Sequence, residues 1–118
     1  MSKFAVVLMS DTEGGEALGR AVNAIKAVEE MVKAGAEVQL IFTGAGTKWI
    51  PELQKSDHLL HSAFMNVRGT VKGACAFCAR AFNMEEHATK SGIQLLAEFE
   101  QNMSYLKLAK AGFTILTF

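Results

Sequence analysis

The sequence is poor in proline, in cysteine and in unbalanced charge. Its 118 residues include one proline and two cysteines, and 12 basic residues balance 12 acidic ones. A protein that binds DNA or RNA needs a basic patch or stripe, and no run of one sign is present. No apolar stretch reaches the roughly 18 residues that a membrane-spanning helix requires. We therefore expect neither a nucleic-acid partner nor a membrane partner.

The opening residues, MSKFAVVLMSD, lack the long apolar region and the small-residue cleavage site of a secretory signal. We interpret them as the first strand of a cytoplasmic protein. Two cysteines in such a protein are expected to remain thiols rather than to form a structural disulfide.

Apolar residues are plentiful, since they make up 50% of the sequence, and this is enough for a core in a single domain spanning residues 1–118. The chain also has eight phenylalanines, six methionines and a formal net charge of zero. Such a composition gives little protection against self-association, so we expect a homo-oligomer.

Apolar runs and helical spacings alternate along the chain. The first run is continuously apolar, which is typical of a strand buried on both faces in a parallel sheet. The predicted strands are 3–10, 36–43, 70–75, 93–99 and 113–118. The predicted helices are 17–32, a short turn at Pro51, 57–67, a segment starting after Cys75, a segment capped by Asn83, and 104–112. This alternation predicts an α/β fold with an open, mostly parallel five-stranded sheet covered by helices.

Sites in such sheets lie beyond the carboxyl ends of the strands. The loops after the first three strands contain SDTEGG, TGAGTKW and GACAFCARAF, and the last of these holds both cysteines. Cys75 ends a strand at the start of a helix, where unpaired backbone N–H groups favour a thiolate, and Cys78 lies in the first turn of that helix. Arg80 would add positive charge nearby. The predicted site residues are Cys75 and Cys78 as reacting groups, with Ser10, Glu13, Thr43, Gly44, Trp49 and Arg80 as binding residues.

The C-x-x-C pair has several interpretations. A thioredoxin-type motif follows the first strand of its core and faces a later cis-proline, whereas this pair follows the third strand and the only proline precedes it. A zinc site needs four ligands, and His58 and His61 would complete one only in an order and spacing unlike a known finger. Two cysteines that merely pack on the sheet are the plainest alternative. Phosphate-loop and dinucleotide fingerprints are absent, and we expect no metal and no cofactor.

Three segments together resemble the DsrE/DsrF-like family over nearly the whole chain. They are the opening FAVVLMSDTEGGEALGRAVNAIKAVEEMVKAGAEVQLIFTGAGTKW, the central VKGACAFCARAF and the closing AGFTILTF. The resemblance implies a single-domain three-layer α/β/α sandwich, a cytoplasmic location and assembly into trimers or hexamers, as in the sulfur-relay subunits of TusBCD and DsrEFH. It also implies a persulfide-carrying cysteine at the end of a central strand, which corresponds to Cys75. Cys78 has no equivalent in every branch of the family.

The function that the resemblance implies is sulfur trafficking, in which Cys75 accepts sulfane sulfur from a donor protein and passes it to an acceptor protein. A carrier of this kind needs a reachable thiolate and a stabilised persulfide anion. Whether the chain is a sulfurtransferase in its own right stays open. Two alternatives also stay open: a non-enzymatic homo-oligomeric module that binds a small ligand, and a redox protein in which Cys75 and Cys78 form a disulfide.

Overall fold

A single five-stranded sheet forms the centre of the computed structural model, which describes residues 1–118. The strands are β1 (Lys3–Leu8), β2 (Glu37–Phe42), β3 (Val71–Cys75), β4 (Leu95–Leu96) and β5 (Thr114–Thr117). Their order across the sheet is β4-β3-β2-β1-β5, and every neighbouring pair is parallel. The predicted α/β sandwich is confirmed, and its sheet is parallel throughout rather than mostly parallel.

Six α-helices connect and cover the strands. They are α1 (Gly15–Lys33), α2 (Trp49–Gln54), α3 (His61–Val67), α4 (Ala76–Ala81), α5 (Glu85–Lys90) and α6 (Tyr105–Lys110). The helix α1 ends where Gly35, at φ 82°, donates its N–H to the carbonyl of Val32. The helix α6 starts as predicted, because the Oγ of Ser104 accepts the N–H of Lys107 at 3.0 Å. None of the six combines the length and the apolar composition needed to cross a membrane.

Two elements are shorter than predicted. The strand β4 has two residues instead of the predicted 93–99, because it lies at the sheet edge and the chain soon leaves it for a tight turn at 99–102. The helix α3 begins at His61 instead of residue 57. The residues before it form turns in which the ring of His58 accepts the N–H of Leu60, so that amide is satisfied outside a helix.

The predicted capping role of Asn83 is wrong. Asn83 adopts φ 59°, and its N–H bonds to the carbonyl of Arg80. It therefore ends α4 in the left-handed conformation that asparagine tolerates better than most residues. The residue that precedes α5 is Met84, whose side chain makes no capping hydrogen bond.

Successive strand residues point to opposite faces of the sheet, and the two faces are covered unequally. On one side, which we call the main face, Val6 and Leu40 join a core of 17 buried residues that includes side chains of α1, α2, α3 and α5. The other side, which we call the thiol face, has a buried cluster of five residues. They are Val7, Ile41, Cys75, Leu96 and Met103. Cys78 of α4 and Leu108 of α6 are partly buried against this cluster.

A glycine allows the loop after β2 to lie directly against the end of β1. The loop continues as a 3₁₀ helix over Gly44–Lys48. A Cβ atom on Gly46 would lie 2.0 Å from the carbonyl oxygen of Leu8, a distance that no side chain tolerates. Glycine at position 46 therefore allows the backbone after β2 to approach the end of β1 at the carboxyl edge of the sheet.

Candidate thiol site

Cys75 is the last residue of β3 and lies at the predicted edge of the sheet. The register pairs it with Leu96 and places it one position beyond the pair formed by Phe42 and Ala74. Thr43 follows Phe42, so the side chains of Thr43 and Cys75 point to the same face. Both cysteines are free thiols; Cys75 is 0% exposed, whereas Cys78 is partly exposed. The candidate carrier thiol is therefore at the expected edge but closed to solvent.

Polar groups from three parts of the chain surround the two sulfur atoms. The S–H of Cys75 donates to the Oδ1 of Asn102 at 3.4 Å, and the Oγ1 of Thr43 lies 3.5 Å from the Sγ of Cys78. The backbone N–H groups of Cys78 and Met103 also lower the pKa of the Cys75 thiol. The side chain of Cys75 makes no capping hydrogen bond to α4.

The pKa of the Cys75 thiol reflects two opposing influences. Burial disfavours the charged form and by itself raises this pKa. The N–H groups of Cys78 and Met103, followed by the side chains of Cys78 and Thr43, favour the thiolate. Together they outweigh burial, and the pKa of Cys75 lies below its ordinary value of 9.0. Such a thiol is a better nucleophile near neutral pH than an ordinary cysteine.

The turn at residues 99–102 carries Asn102 to the thiol. Phe99 and Asn102 exchange backbone hydrogen bonds of 2.9 and 2.7 Å across a two-residue loop. The loop residues Glu100 and Gln101 have φ values of 48° and 69°, in a region that usually requires glycine or asparagine. Backbone of this kind costs about 1–3 kcal/mol per residue and persists where its surroundings hold it. Here the carbonyl of Gln101 accepts the N–H of Phe77 at 2.8 Å.

Arg80, which was predicted to add positive charge beside the thiols, lies on α4 with its guanidinium engaged elsewhere. Its Nε forms an ion pair with Glu85 at 2.9 Å, and its Nη1 donates to the Oε1 of Gln101 at 3.4 Å. Arg80 thus connects α4 to the turn at residues 99–102.

Four other predicted binding residues lie on the loops after β1 and β2. Trp49 is a core residue of the main face, 1% exposed, and its Nε1 donates to the carbonyl of Ser10 at 3.0 Å. The carbonyl of Gly44 accepts the hydroxyl of Thr47 at 2.9 Å. Glu13 is exposed. These contacts join the two loops to each other, and among the predicted binding residues Thr43 is the one that touches a cysteine.

The two histidines at H-x-x-H spacing have local partners. The Nδ1 of His58 accepts the N–H of Leu60 at 3.0 Å, and the Nδ1 of His61 lies 2.8 Å from the carbonyl oxygen of Leu53. The ring of His58 also packs edge-on against Trp49. No group of three or more histidine, cysteine, aspartate or glutamate side chains is placed to share a metal ion. Both histidines are therefore part of the packing between α2 and α3.

Three site residues were not predicted from the sequence. They are Asn102, Met103 and Tyr105, which follow the fourth strand and precede or begin α6. The pKa of Tyr105 is raised by burial and then by the charges of Cys75 and Cys78. A signal was available, because the loop after a fourth parallel strand must reach the same edge of the sheet as the other three.

Comparison with known proteins supports the fold but identifies no activity. No model of a known protein family matches the sequence, and no curated protein matches it. Among solved structures, a conserved protein of unknown function from Bacteroides thetaiotaomicron is similar, with a TM-score of 0.62 and 16% sequence identity. The match covers 97% of this chain and 94% of the other. At this identity the likeness supports the α/β architecture alone.

Proposed function

We propose that this chain is a small cytoplasmic sulfur-trafficking protein of the DsrE/DsrF-like type, which carries sulfane sulfur as a persulfide on Cys75. The observation that supports this function is the environment of the Cys75 sulfur. Polar groups from α4, from the residue after β2 and from the segment before α6 surround the two thiols, and the pKa of Cys75 is lowered although it is buried. An arrangement of this kind favours an anionic sulfur over a neutral thiol.

The proposed chemistry exchanges one sulfur–sulfur bond for another. In the net reaction, the outer sulfur of a persulfide on a donor protein is transferred to the Cys75 thiolate, a new S–S bond forms on Cys75, and the donor cysteine leaves as a thiolate. Unloading is the same step with the thiolate of an acceptor protein as the nucleophile. The N–H groups of Cys78 and Met103 would stabilise the persulfide anion between the two steps.

Mass spectrometry of the loaded protein tests this proposal. We expect wild-type protein incubated with glutathione persulfide, then desalted, to retain one added sulfur atom that peptide mapping assigns to Cys75. A Cys75→Ser variant should retain much less, because a persulfide on the partly exposed Cys78 is open to attack by free thiols before and during desalting. Equal retention by Cys75→Ser would contradict the assignment of Cys75, and no retention by the wild type would contradict the function.

A dithiol redox protein is a second candidate, because Cys75 and Cys78 are both free thiols and Cys78 packs against the cluster that contains Cys75. In that case the Cys78 thiolate attacks the inner sulfur of a Cys75 persulfide, a Cys75–Cys78 disulfide forms, and hydrosulfide leaves. A redox titration decides between the two functions, since a redox protein requires a disulfide with a potential in the cytosolic range. A pair that stays reduced throughout that range supports the carrier.

We propose that the chain works as a homo-oligomer, a trimer or a hexamer. Exposed apolar side chains near the thiols support this assembly, since Phe77, Phe99 and Leu106 are 57%, 62% and 65% exposed and Tyr105 is 42% exposed. Apolar groups gathered in one region of a surface are typical of an interface. Light scattering on purified protein gives the mass in solution, and a monomer at micromolar concentration would contradict the proposal.

A further inference from the structure

We infer that Cys78, rather than Cys75, is the thiol that first meets a sulfur donor, and that sulfur then passes from Cys78 to Cys75 within the protein. The inference rests on the proposed function and adds a route to it. Sequence position alone suggests the opposite order, because Cys75 is the cysteine that ends the strand at the site edge.

The first step of the argument is access. The side chain of Cys75 is 0% exposed and belongs to the buried cluster with Leu96 and Met103. Asn102 closes it off further by accepting its S–H. Cys78 packs against the rim of the same cluster but remains partly exposed. Of the two cysteines, Cys78 is therefore the one that a persulfide on another molecule meets with less rearrangement of the protein.

The second step is proximity within the pair. Cys75 and Cys78 are three residues apart across the junction of β3 and α4, and Cys78 packs against the buried cluster that contains Cys75. The Oγ1 of Thr43, the residue after β2, lies 3.5 Å from the Cys78 sulfur. Sulfur on Cys78 is therefore within reach of Cys75, whereas sulfur on a donor protein is not. If sulfur passes from Cys78 to Cys75 within the protein, the buried site does not have to open to the donor. A short movement of the Cys78 side chain is enough.

The atoms balance in both steps. The Cys78 thiolate attacks the outer sulfur of the donor persulfide, an S–S bond forms on Cys78, and the donor cysteine leaves as a thiolate. The Cys75 thiolate then attacks the outer sulfur of the Cys78 persulfide, an S–S bond forms on Cys75, and Cys78 leaves as a thiolate. No oxidant or reductant is consumed. Two features favour transfer toward Cys75: its side chain is buried away from competing thiols in solution, and the N–H groups of Cys78 and Met103 favour an anionic sulfur there.

Loading kinetics of two serine variants on the same helix test the route. Cys78→Ser removes the entry thiol, and Ala81→Ser makes a matched change at an exposed position of α4. With glutathione persulfide as donor, we expect Cys78→Ser to load Cys75 about tenfold or more slowly than wild type, because direct loading requires a minor open state of about 10% or less. Ala81→Ser should load at the wild-type rate. Wild-type loading by Cys78→Ser would overturn the inference and leave the proposed function intact.

A second measurement tests the order of access without using sulfur. Native protein treated with a limiting amount of iodoacetamide should be alkylated first on Cys78, as read by peptide mapping, and both cysteines should react at comparable rates after unfolding in urea. Alkylation of Cys75 first in the native protein would overturn the inference whatever the sulfur-loading experiment gives. A wild-type protein that is alkylated first on Cys78 but retains no sulfur would instead refute the proposed function.

Discussion

The main face of the sheet has the larger buried core, whereas the thiol face has both cysteines. The buried hydrophobic cluster of the main face has 17 residues, and its longest cover is the 19-residue helix α1. The cluster of the thiol face has five, and its covering helix α6 has six residues. The same five strands serve both faces, so the difference arises from the helices and not from the sheet.

The difference explains why a reactive group can lie within so small a protein. A short helix and a strained turn have few apolar contacts, and segments of that kind open locally at a lower free energy than a core does. Both reacting thiols lie under this thinner cover, whereas the main face contains none. The chain thus keeps a rigid core on one side and a cover able to open on the other.

Two neighbouring valines on β1 provide the sharpest test of this division. Val6 and Val7 are both 0% exposed, but Val6 belongs to the main core and Val7 to the thiol-face cluster. We expect Val6→Ala to lower the free energy of unfolding by about 2–3 kcal/mol, as lost burial plus a cavity that the rigid core cannot close. Val7→Ala should cost about 1 kcal/mol less, because α6 can move inward. Urea unfolding followed by circular dichroism measures both values.

The valine pair is its own control, since residue type, strand and burial are the same. Equal losses for the two variants would contradict the division of stability between the faces. A larger loss for Val7→Ala would reverse it.

Much of the architecture was predictable because strand and helix signals are local. Continuous apolar runs predicted five strands, and the small residues after Cys75 predicted where α4 begins. The parallel sheet then followed from the alternation of strands with helices. The ends of the elements were less predictable. The left-handed conformation of Asn83, for example, depends on how α4 ends against its neighbours and not on the capping-box pattern that the residue begins.

The site was predictable in part. The rule that loops gather at one edge of the sheet identified Cys75, Cys78 and Thr43, which the structure brings together. The burial of Cys75 was not predictable, because it depends on a turn that places Asn102 over the sulfur. That turn uses Glu100 and Gln101 at positive φ, a conformation that neither residue type suggests.

A charge placed in the turn at residues 99–102 tests whether Asn102 faces the Cys75 sulfur. Asn102→Asp would put a carboxylate in place of the Oδ1 that lies 3.4 Å from the Cys75 sulfur. A like charge at this distance disfavours the thiolate, so we expect the pKa of Cys75 to rise by about one unit or more. The pH dependence of iodoacetamide alkylation in a Cys78→Ser background, where Cys75 is the sole thiol, measures the shift.

Asn23→Asp supplies the matched control for this variant, because it makes the same chemical change at an exposed position of α1. It should leave the alkylation midpoint of Cys75 unchanged. If Asn102→Asp also leaves the midpoint unchanged, Asn102 does not face the sulfur in solution, and the closed thiol face described above is wrong.

The smallest expected effect comes from removing one hydroxyl. Thr43→Val keeps the shape of the side chain but removes the Oγ1 that contacts the Cys78 sulfur and helps to lower the pKa of Cys75. We expect the alkylation midpoint of Cys75, again in the Cys78→Ser background, to move toward 9.0, the ordinary value, by a few tenths of a unit. The free energy of unfolding should fall by about 0.5–1.5 kcal/mol, the usual net worth of one hydrogen bond.

The pH dependence of that loss distinguishes a thiolate contact from simple packing. Because the folded pKa of Cys75 is lowered, its thiolate adds stability above the unfolded pKa, and this contribution disappears as pH falls through the folded pKa. Thr43→Val should therefore cost more at high pH than at low pH in urea unfolding. Thr47→Val is the matched control, since Thr47 is also buried but donates to the carbonyl of Gly44, and its cost should not change with pH. A cost for Thr43→Val that is equally flat would show that its hydroxyl packs against the thiol face without stabilising a charge there.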